Sequence, residues 1–235
     1  MAAGPAAIDR LDWAGIAAQL DRDGYALLPK MLTPQDVQAL RRLVAAPGGL
    51  PGVPAAGSGL GQGDFFNISA AAFAPLAAWR AALYRHLAPI ANQWNERLGL
   101  VRRYPAELQD FLERNLEAGQ ARPRSCLIRM TEHDYLALHQ RADGEHVFPL
   151  QCVGLLSRPG EDFSGGEFIM TEQRPRMQSR PMVLPLQCGD AALIPTAQRP
   201  IKGGKGYYRA RLKHAIGRVK GGERIGFELF FHDAS

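Results

Sequence analysis

The sequence predicts a mainly β fold, an antiparallel sandwich or jelly roll, supported on one side by N-terminal helices. Two observations carry this. Helical periodicity is confined to roughly the first 120 residues. From about residue 122 onward the chain breaks into eight strand-length apolar runs separated by glycine- and proline-rich turns. Helices first and strands second argue for segregated layers rather than alternating βαβ units. No linker long enough to separate a pair of independent units is visible, so residues 1–235 read as one domain, 1–120 as helical support and 121–235 as the β core.

The helices follow from local signals. Residues 7–21 place Ile8, Leu11, Ile16 and Leu20 on one broad face, which predicts a single helix. The run 24–29 reads as a short strand. Thr33 is a predicted N-cap, with Pro34 at the first helical position and Asp36 in the first turn. Residues 47–63 are rich in glycine and proline and predict a loop long enough to suggest a lid. A long helix is predicted over 70–98, divided at Pro75 and Pro89, and a shorter one over 105–116. The strand candidates are the runs CLIRM, YLALH, HVFPLQCVGLLS, GEFIMTEQ, MVLPLQ, AALIPTA, YYRARLKHAIGRV and RIGFELFFH.

Composition narrows the function. With 235 residues and 46% apolar content the chain can bury a core without disulfides or a structural metal. Its three cysteines show no CxxC spacing, which favours a reducing, cytoplasmic setting. No apolar run is long enough to span a membrane, and the first residues do not read as a signal peptide. The formal charge of +5 permits a polyanionic partner without requiring one.

Two of the six histidines, His139 and His214, fall inside strand-like runs of the β region. Alone, each reads as a structural or exposed strand histidine. Together, with Asp143 and Glu145 after the first and Arg224 beyond the second, they fit a facial iron site: two imidazoles, one carboxylate and an open opposite face. Arginine is also suited to gripping a carboxylate with two parallel hydrogen bonds.

The stretches LHQRADGEHVFPLQ, SRPGEDFSGGEFIMTEQRPRMQSR, QCGDAALIP, RLKHAIGRV and ERIGFELFFHDA resemble the 2-oxoglutarate/Fe(II)-dependent oxygenases. More narrowly, they resemble a bacterial group proposed to modify nucleic acids. The resemblance is dense over about 120–234 and weaker upstream. It implies a double-stranded β-helix, in agreement with the strand count. It implies Fe(II) and 2-oxoglutarate as cofactors, oxidation of a C–H bond, and nucleic acid as a substrate class. By resemblance His139 and His214 are iron ligands, converging from opposing strands at the barrel mouth. Arg224 is the clamp on the distal carboxylate of 2-oxoglutarate, with Arg218 or Arg211 as substitutes, and Tyr135 neighbours the cosubstrate.

One position departs from the pattern. Where His-x-Asp is expected, the chain has His139-Gln140-Arg141. Residues two apart on a strand share a face, so Arg141 is predicted to point at the metal. A guanidinium and a divalent ion about 4 Å apart repel by roughly 8 kcal/mol at an effective dielectric of 20. Three readings stay open at this point. Asp143 supplies the carboxylate through a bulge or turn; iron rests on two histidines and an exogenous anion, as in related halogenases; or catalysis is lost and the jelly roll serves binding. In the last case Arg141 itself can hold an anion, unless its head turns to solvent or onto Glu145.

Two further features have a bland and a functional reading. Arg174, Arg176, Arg180, Arg199, Lys202, Lys205, Arg209, Arg211 and Lys213 form either a solvated surface or a phosphate-binding rim. Phe65 and Phe66 either stack on a base or anchor the neighbouring loop.

Overall fold

A computed structural model describes residues 4–45, 50–69 and 73–235. In chain order the elements are α1 (Pro5–Asp9), α2 (Trp13–Asp23), β1 (Ala26–Leu28), α3 (Pro34–Ala45), β2 (Val53–Pro54), a 3-10 turn (Ala55–Ser58), β3 (Gly61–Gln62), β4 (Asp64–Asn67), α4 (Ala74–Arg97) and α5 (Leu108–Glu117). There follow β5 (Cys126–Met130), β6 (Tyr135–His139), β7 (Leu150–Leu155), β8 (Phe163–Gly165), β9 (Phe168–Gln173) and β10 (Arg180–Leu184). The last are β11 (Ala191–Pro195), β12 (Gln198–Gly203), β13 (Gly206–Ile216), β14 (Val219–Gly222) and β15 (Arg224–Leu229).

Two antiparallel sheets face each other. The larger runs β1-β11-β7-β15-β5-β4-β2, the smaller β10-β9-β13-β6-β3, with β12 added along the outer half of β13. Strands β14 and β8 form a separate ribbon. Alternation along the strands builds two cores. On β15, Ile225, Phe227 and Leu229 turn to the helices, where they join Trp94, Leu83 and Leu87 of α4. Between the sheets, Cys126, Ile128 and Met130 of β5 meet Met170 of β9 and Leu212 of β13. Residues 224, 226 and 228 have the opposite parity to the first set and point between the sheets.

The helical predictions need three corrections. The helix expected over 7–21 is two helices, because Asp12 caps α2 by accepting from the Gly15 amide. Pro89 does not divide α4, which runs unbroken across it; Pro75 sits in the first turn, where no amide is needed. The expected lid is, from residue 50 on, stitched to both sheets: β2 pairs β4 and β3 pairs β6. Residues 47–49 and 70–72 of the predicted loop and helix lie outside the described residues. The Thr33 cap forms as expected. Its hydroxyl accepts from the Asp36 amide while the Asp36 carboxylate accepts from the Thr33 amide and hydroxyl.

Candidate metal centre

His139 and His214 sit directly opposite each other on neighbouring, hydrogen-bonded strands β6 and β13. They converge as expected, but from adjacent rather than opposing strands, with ring centroids 4.3 Å apart. A bulge makes this work. Between the His214–His139 and Ile216–Leu136 pairs, β6 carries one extra residue, so Leu136 and His139 both face inward despite their odd spacing. Inside the bulge, His139 Nδ1 lies 2.7 Å from the Ala137 carbonyl. A carbonyl only accepts, so Nδ1 carries the hydrogen and Nε2 presents its lone pair. That Nε2 is buried without a hydrogen-bond partner. Burial, reinforced by His214, pushes the His139 pKa down and keeps the ring neutral. Beneath His214 the ring of Phe168 stacks in parallel, 5.7 Å away.

The third member is Glu228, from β15 on the other sheet. One ligand atom each from His139, His214 and Glu228 lies within 4.8 Å of the others, and all three residues are buried. Glu228 Oε1 is 3.1 Å from His214 Nε2, and Oε2 accepts from Arg141 at 3.0 Å. Burial alone raises a carboxylate pKa. Here the His214 hydrogen bond and the charges of His214 and Arg141 win, and Glu228 is held well below the usual range.

Asp143 is not brought to the histidines. Its carboxylate pairs with Arg124, and its side chain is 76% exposed. Arg124 also donates to the Arg141 carbonyl at 2.9 Å, so one buried guanidinium fixes the segment after β6 and draws Asp143 outward. Arg141 does face inward, and it turns neither to solvent nor to Glu145. Its guanidinium lies between the rings of Phe65 and Phe230, at 5.4 and 5.1 Å, with Nη1 on Glu228 and 3.2 Å from Cys126 Sγ. The cation therefore stands behind the carboxylate rather than in the space between the donors. Phe65 and Phe66 are buried, each beneath an arginine, and anchor their segment.

Arg224 is 2% exposed and points between the sheets. Nε donates to the Gly166 carbonyl at 2.8 Å, and among the described residues no carboxylate lies within ion-pair distance. Burial lowers its pKa to about 10, partly offset by Glu228 and Glu167. It borders a cavity of about 400 Å³ that Phe168 also lines, so the cavity runs up to the residue beneath His214. Gly226 leaves the guanidinium its room: a Cβ there would stand 3.0 Å from Arg224 Nη1. Of the substitute clamps, Arg218 lies over the ring of Tyr135 and Arg211 is exposed on the outer face. Tyr135 opens β6, four residues from His139, and is half-buried beneath Arg218.

Residues 61–234 match the Oxygenase-NA family, described as oxygenases catalysing oxidative methylation of damaged DNA. The chain belongs to this family. Two uncharacterized proteins, from two strains of Mycobacterium tuberculosis, are 40% identical to it over 156 residues, 66% of this chain and 67% of theirs. Among solved structures, a 2OG-Fe(II) oxygenase family oxidoreductase from Burkholderia pseudomallei superposes with a TM-score of 0.58 at 18% identity, over 96% of this chain and 94% of that one. A Pseudomonas putida prolyl-4-hydroxylase gives 0.54 at 11% identity, over 95% and 99%. These likenesses establish the fold: the jelly roll predicted from the strand runs is the fold of the 2OG-Fe(II) oxygenases. No described helix is long and apolar enough to cross a membrane.

The donor set fits Fe(II). Two imidazoles and a carboxylate converge, and the buried, unpartnered Nε2 of His139 is the kind of atom a metal satisfies. The carbonyl that orients His139 through Nδ1 is the outer partner that metal-bound imidazoles ordinarily have. Sequence reasoning passed over Glu228. A signal was present: a lone carboxylate inside the apolar run RIGFELFFH, in phase with Arg224. A buried strand holds a charge only against a partner.

Proposed function

We propose that the protein is a 2-oxoglutarate- and Fe(II)-dependent dioxygenase that oxidises a C–H bond of a nucleic-acid substrate. The observation that carries this is the convergence of His139, His214 and Glu228 beside a cavity bordered by the buried Arg224. His139, His214 and Glu228 would hold the metal. With Fe(II) and 2-oxoglutarate bound, such a centre would consume O2, one atom entering succinate as the oxoacid loses CO2 and the other entering the C–H bond to give a hydroxylated product.

The chain's own residues supply binding and exclusion of water. Arg224 offers a desolvated cation for the distal carboxylate of the oxoacid, where a bidentate grip is worth most. Phe168 and Phe163 line the cavity with apolar surface. The neutral His139 imidazole presents a free lone pair toward Glu228 and His214. What supports catalysis over a binding-only jelly roll is the place of Arg141: the cation expected to exclude a metal is engaged on Glu228.

Nucleic acid as substrate class is supported by charge. Between Glu172 and Glu223 the only acidic residue in the sequence is Asp190, against a long run of arginines and lysines. Arg209, Arg211 and Lys213 alternate outward along β13 while Ala210, Leu212 and His214 turn inward. Among the described residues none of these three cations has a carboxylate within ion-pair distance. The strand that carries His214 thus presents a row of free positive charge on its outer side, as a phosphate backbone requires.

The test is succinate formation by anaerobically reconstituted protein, with Fe(II) and 2-oxoglutarate, on admission of oxygen with alkylated single-stranded DNA. Succinate in step with hydroxylation of the alkyl carbon is expected, followed by cleavage of its C–N bond, which frees the base N–H and releases the alkyl group as the aldehyde. No succinate above that of a Glu228→Gln control would refute the reading.

A further inference from the structure

Arg141 stands where a metal-binding carboxylate is expected, yet it is neither a ligand nor an intruder. Its guanidinium is wedged between Phe65 and Phe230 and touches Cys126 Sγ, so its position is set by packing on three sides. Its backbone is fixed as well, because Arg124 holds its carbonyl. From this rigid seat Nη1 grips one oxygen of Glu228, Oε2, at 3.0 Å, and the other, Oε1, faces His214 at 3.1 Å. A planar, weakly hydrated cation that stacks on aromatic faces suits this role better than lysine.

We infer that Arg141 is the positioning residue of a relocated carboxylate ligand: it occupies Oε2 of Glu228 and leaves Oε1 as the single oxygen offered to the metal. This rests on the metal-binding reading proposed above. It accounts for two departures at once, since the carboxylate absent after β6 is supplied by β15, and the residue that replaced it holds the substitute in place. A carboxylate committed through one oxygen, with two imidazoles, fills one face of an octahedral ion and keeps the opposite face open. Two oxygens on the ion would take one of those positions.

The experiment is a mutant cycle on the full chain, read by titration with Mn(II) alone and detection of free Mn(II) by electron paramagnetic resonance. The proteins are the wild type, Arg141→Met, Glu228→Gln and the double variant. Arg141→Met is expected to weaken Mn(II) binding by roughly 10–100-fold, as loss of an outer partner does. In the Glu228→Gln background the same change should have no such effect, because Arg141 acts only through that carboxylate. Arg141→Lys should restore part of the loss, and Arg141→Gln serves in place of Arg141→Met if the methionine variant does not fold. Binding equal to or tighter than wild type in the single variant would show that Arg141 competes with the metal for Glu228, and would overturn the inference. An equal loss in both backgrounds would make Arg141 a general structural residue, with the same consequence. Failure of the wild type itself to bind Mn(II) would instead strike the proposed function.

Discussion

Glu228 meets His214 across the gap between the two sheets, Oε1 to Nε2 at 3.1 Å, each residue almost fully buried. The contact joins β15 of the larger sheet to β13 of the smaller at the point where β13 also meets His139 on β6. A metal placed there would tie three strands from two sheets. Glu228→Gln removes the anionic donor and should reduce Mn(II) or Fe(II) affinity by more than the ~10–100-fold typical of losing an outer partner. It also leaves Arg141 largely buried beside a neutral group. The metal-free variant should therefore lose about 3 kcal/mol of stability in urea unfolding. An unaltered metal affinity would remove Glu228 from the ligand set.

Asp143→Asn should leave metal affinity within about twofold of wild type, because Arg124 holds that carboxylate away from the histidines. The Arg124 hydrogen bond, foremost, holds the Asp143 pKa below its ordinary value, although the group is largely exposed. The expected stability change is small, under ~1 kcal/mol, because asparagine keeps an acceptor oxygen for Arg124, which also holds the Arg141 and Asp143 carbonyls. A large loss of metal binding would restore Asp143 as a candidate ligand.

The strand runs and the place of the histidine pair within them were legible because each depends on local pattern. CLIRM and YLALH are β5 and β6 to the residue. What escaped depends on contacts between residues far apart in the chain. Parity aimed Arg141 inward correctly, but the carboxylate it meets lies 87 residues away. Arg124 and Asp143 are 19 residues apart, with nothing local to pair them. The bulge in β6 is equally silent in sequence, since YLALH reads as regular alternation whether or not it carries an extra residue. Proline misled for a tertiary reason: Pro89 sits in a long helix whose neighbours Leu87, Ala88 and Ala91 are buried in the core, which outweighs one lost hydrogen bond.

Stability should fall with acid through His232. Its ring is fully buried, accepts only a long hydrogen bond from the Phe148 amide at 3.4 Å, and has an unpartnered Nε2. Burial, aided by the charges of Arg124 and Arg80, lowers its pKa to about 3. The unfolded chain, near 6.5, binds the proton more readily. Stability is thus fully present above pH ~6.5 and is lost as pH falls from there toward ~3, by up to ~1.4 kcal/mol per pH unit from this group. Unfolding by urea at pH 7 and pH 5 should show the drop, and His232→Gln should lessen it. An equal drop in the variant would assign the acid sensitivity elsewhere.

Exchanging Arg209, Arg211 and Lys213 together for glutamine should weaken binding to single-stranded DNA and flatten its salt dependence. If each cation contacts one phosphate, the slope of log K against log salt should fall by about 2. All three are exposed, so thermal stability should hardly move. Retention of the wild-type slope would show that the outer face of β13 is not where the polyanion lies.

Arg224→Met should separate cosubstrate binding from folding. The side chain is fully enclosed, and its guanidinium has no acidic partner among the described residues. Removing one half of a buried ion pair strands the other half, but here there is no other half to strand. The loss is confined to the Gly166 carbonyl, which gives up the hydrogen bond from Nε. Methionine fills much of the same volume beside Phe163 and Gly226. The melting temperature should shift little. Binding of 2-oxoglutarate to the Mn(II)-loaded protein should weaken by roughly 100-fold, since a charge-assisted grip by a buried guanidinium on a carboxylate is worth about 3 kcal/mol. Calorimetric titration checks the affinity and urea unfolding the stability. Unchanged affinity would place the cosubstrate's distal carboxylate on another cation, and Arg218, beside the start of β6, would be the next to change.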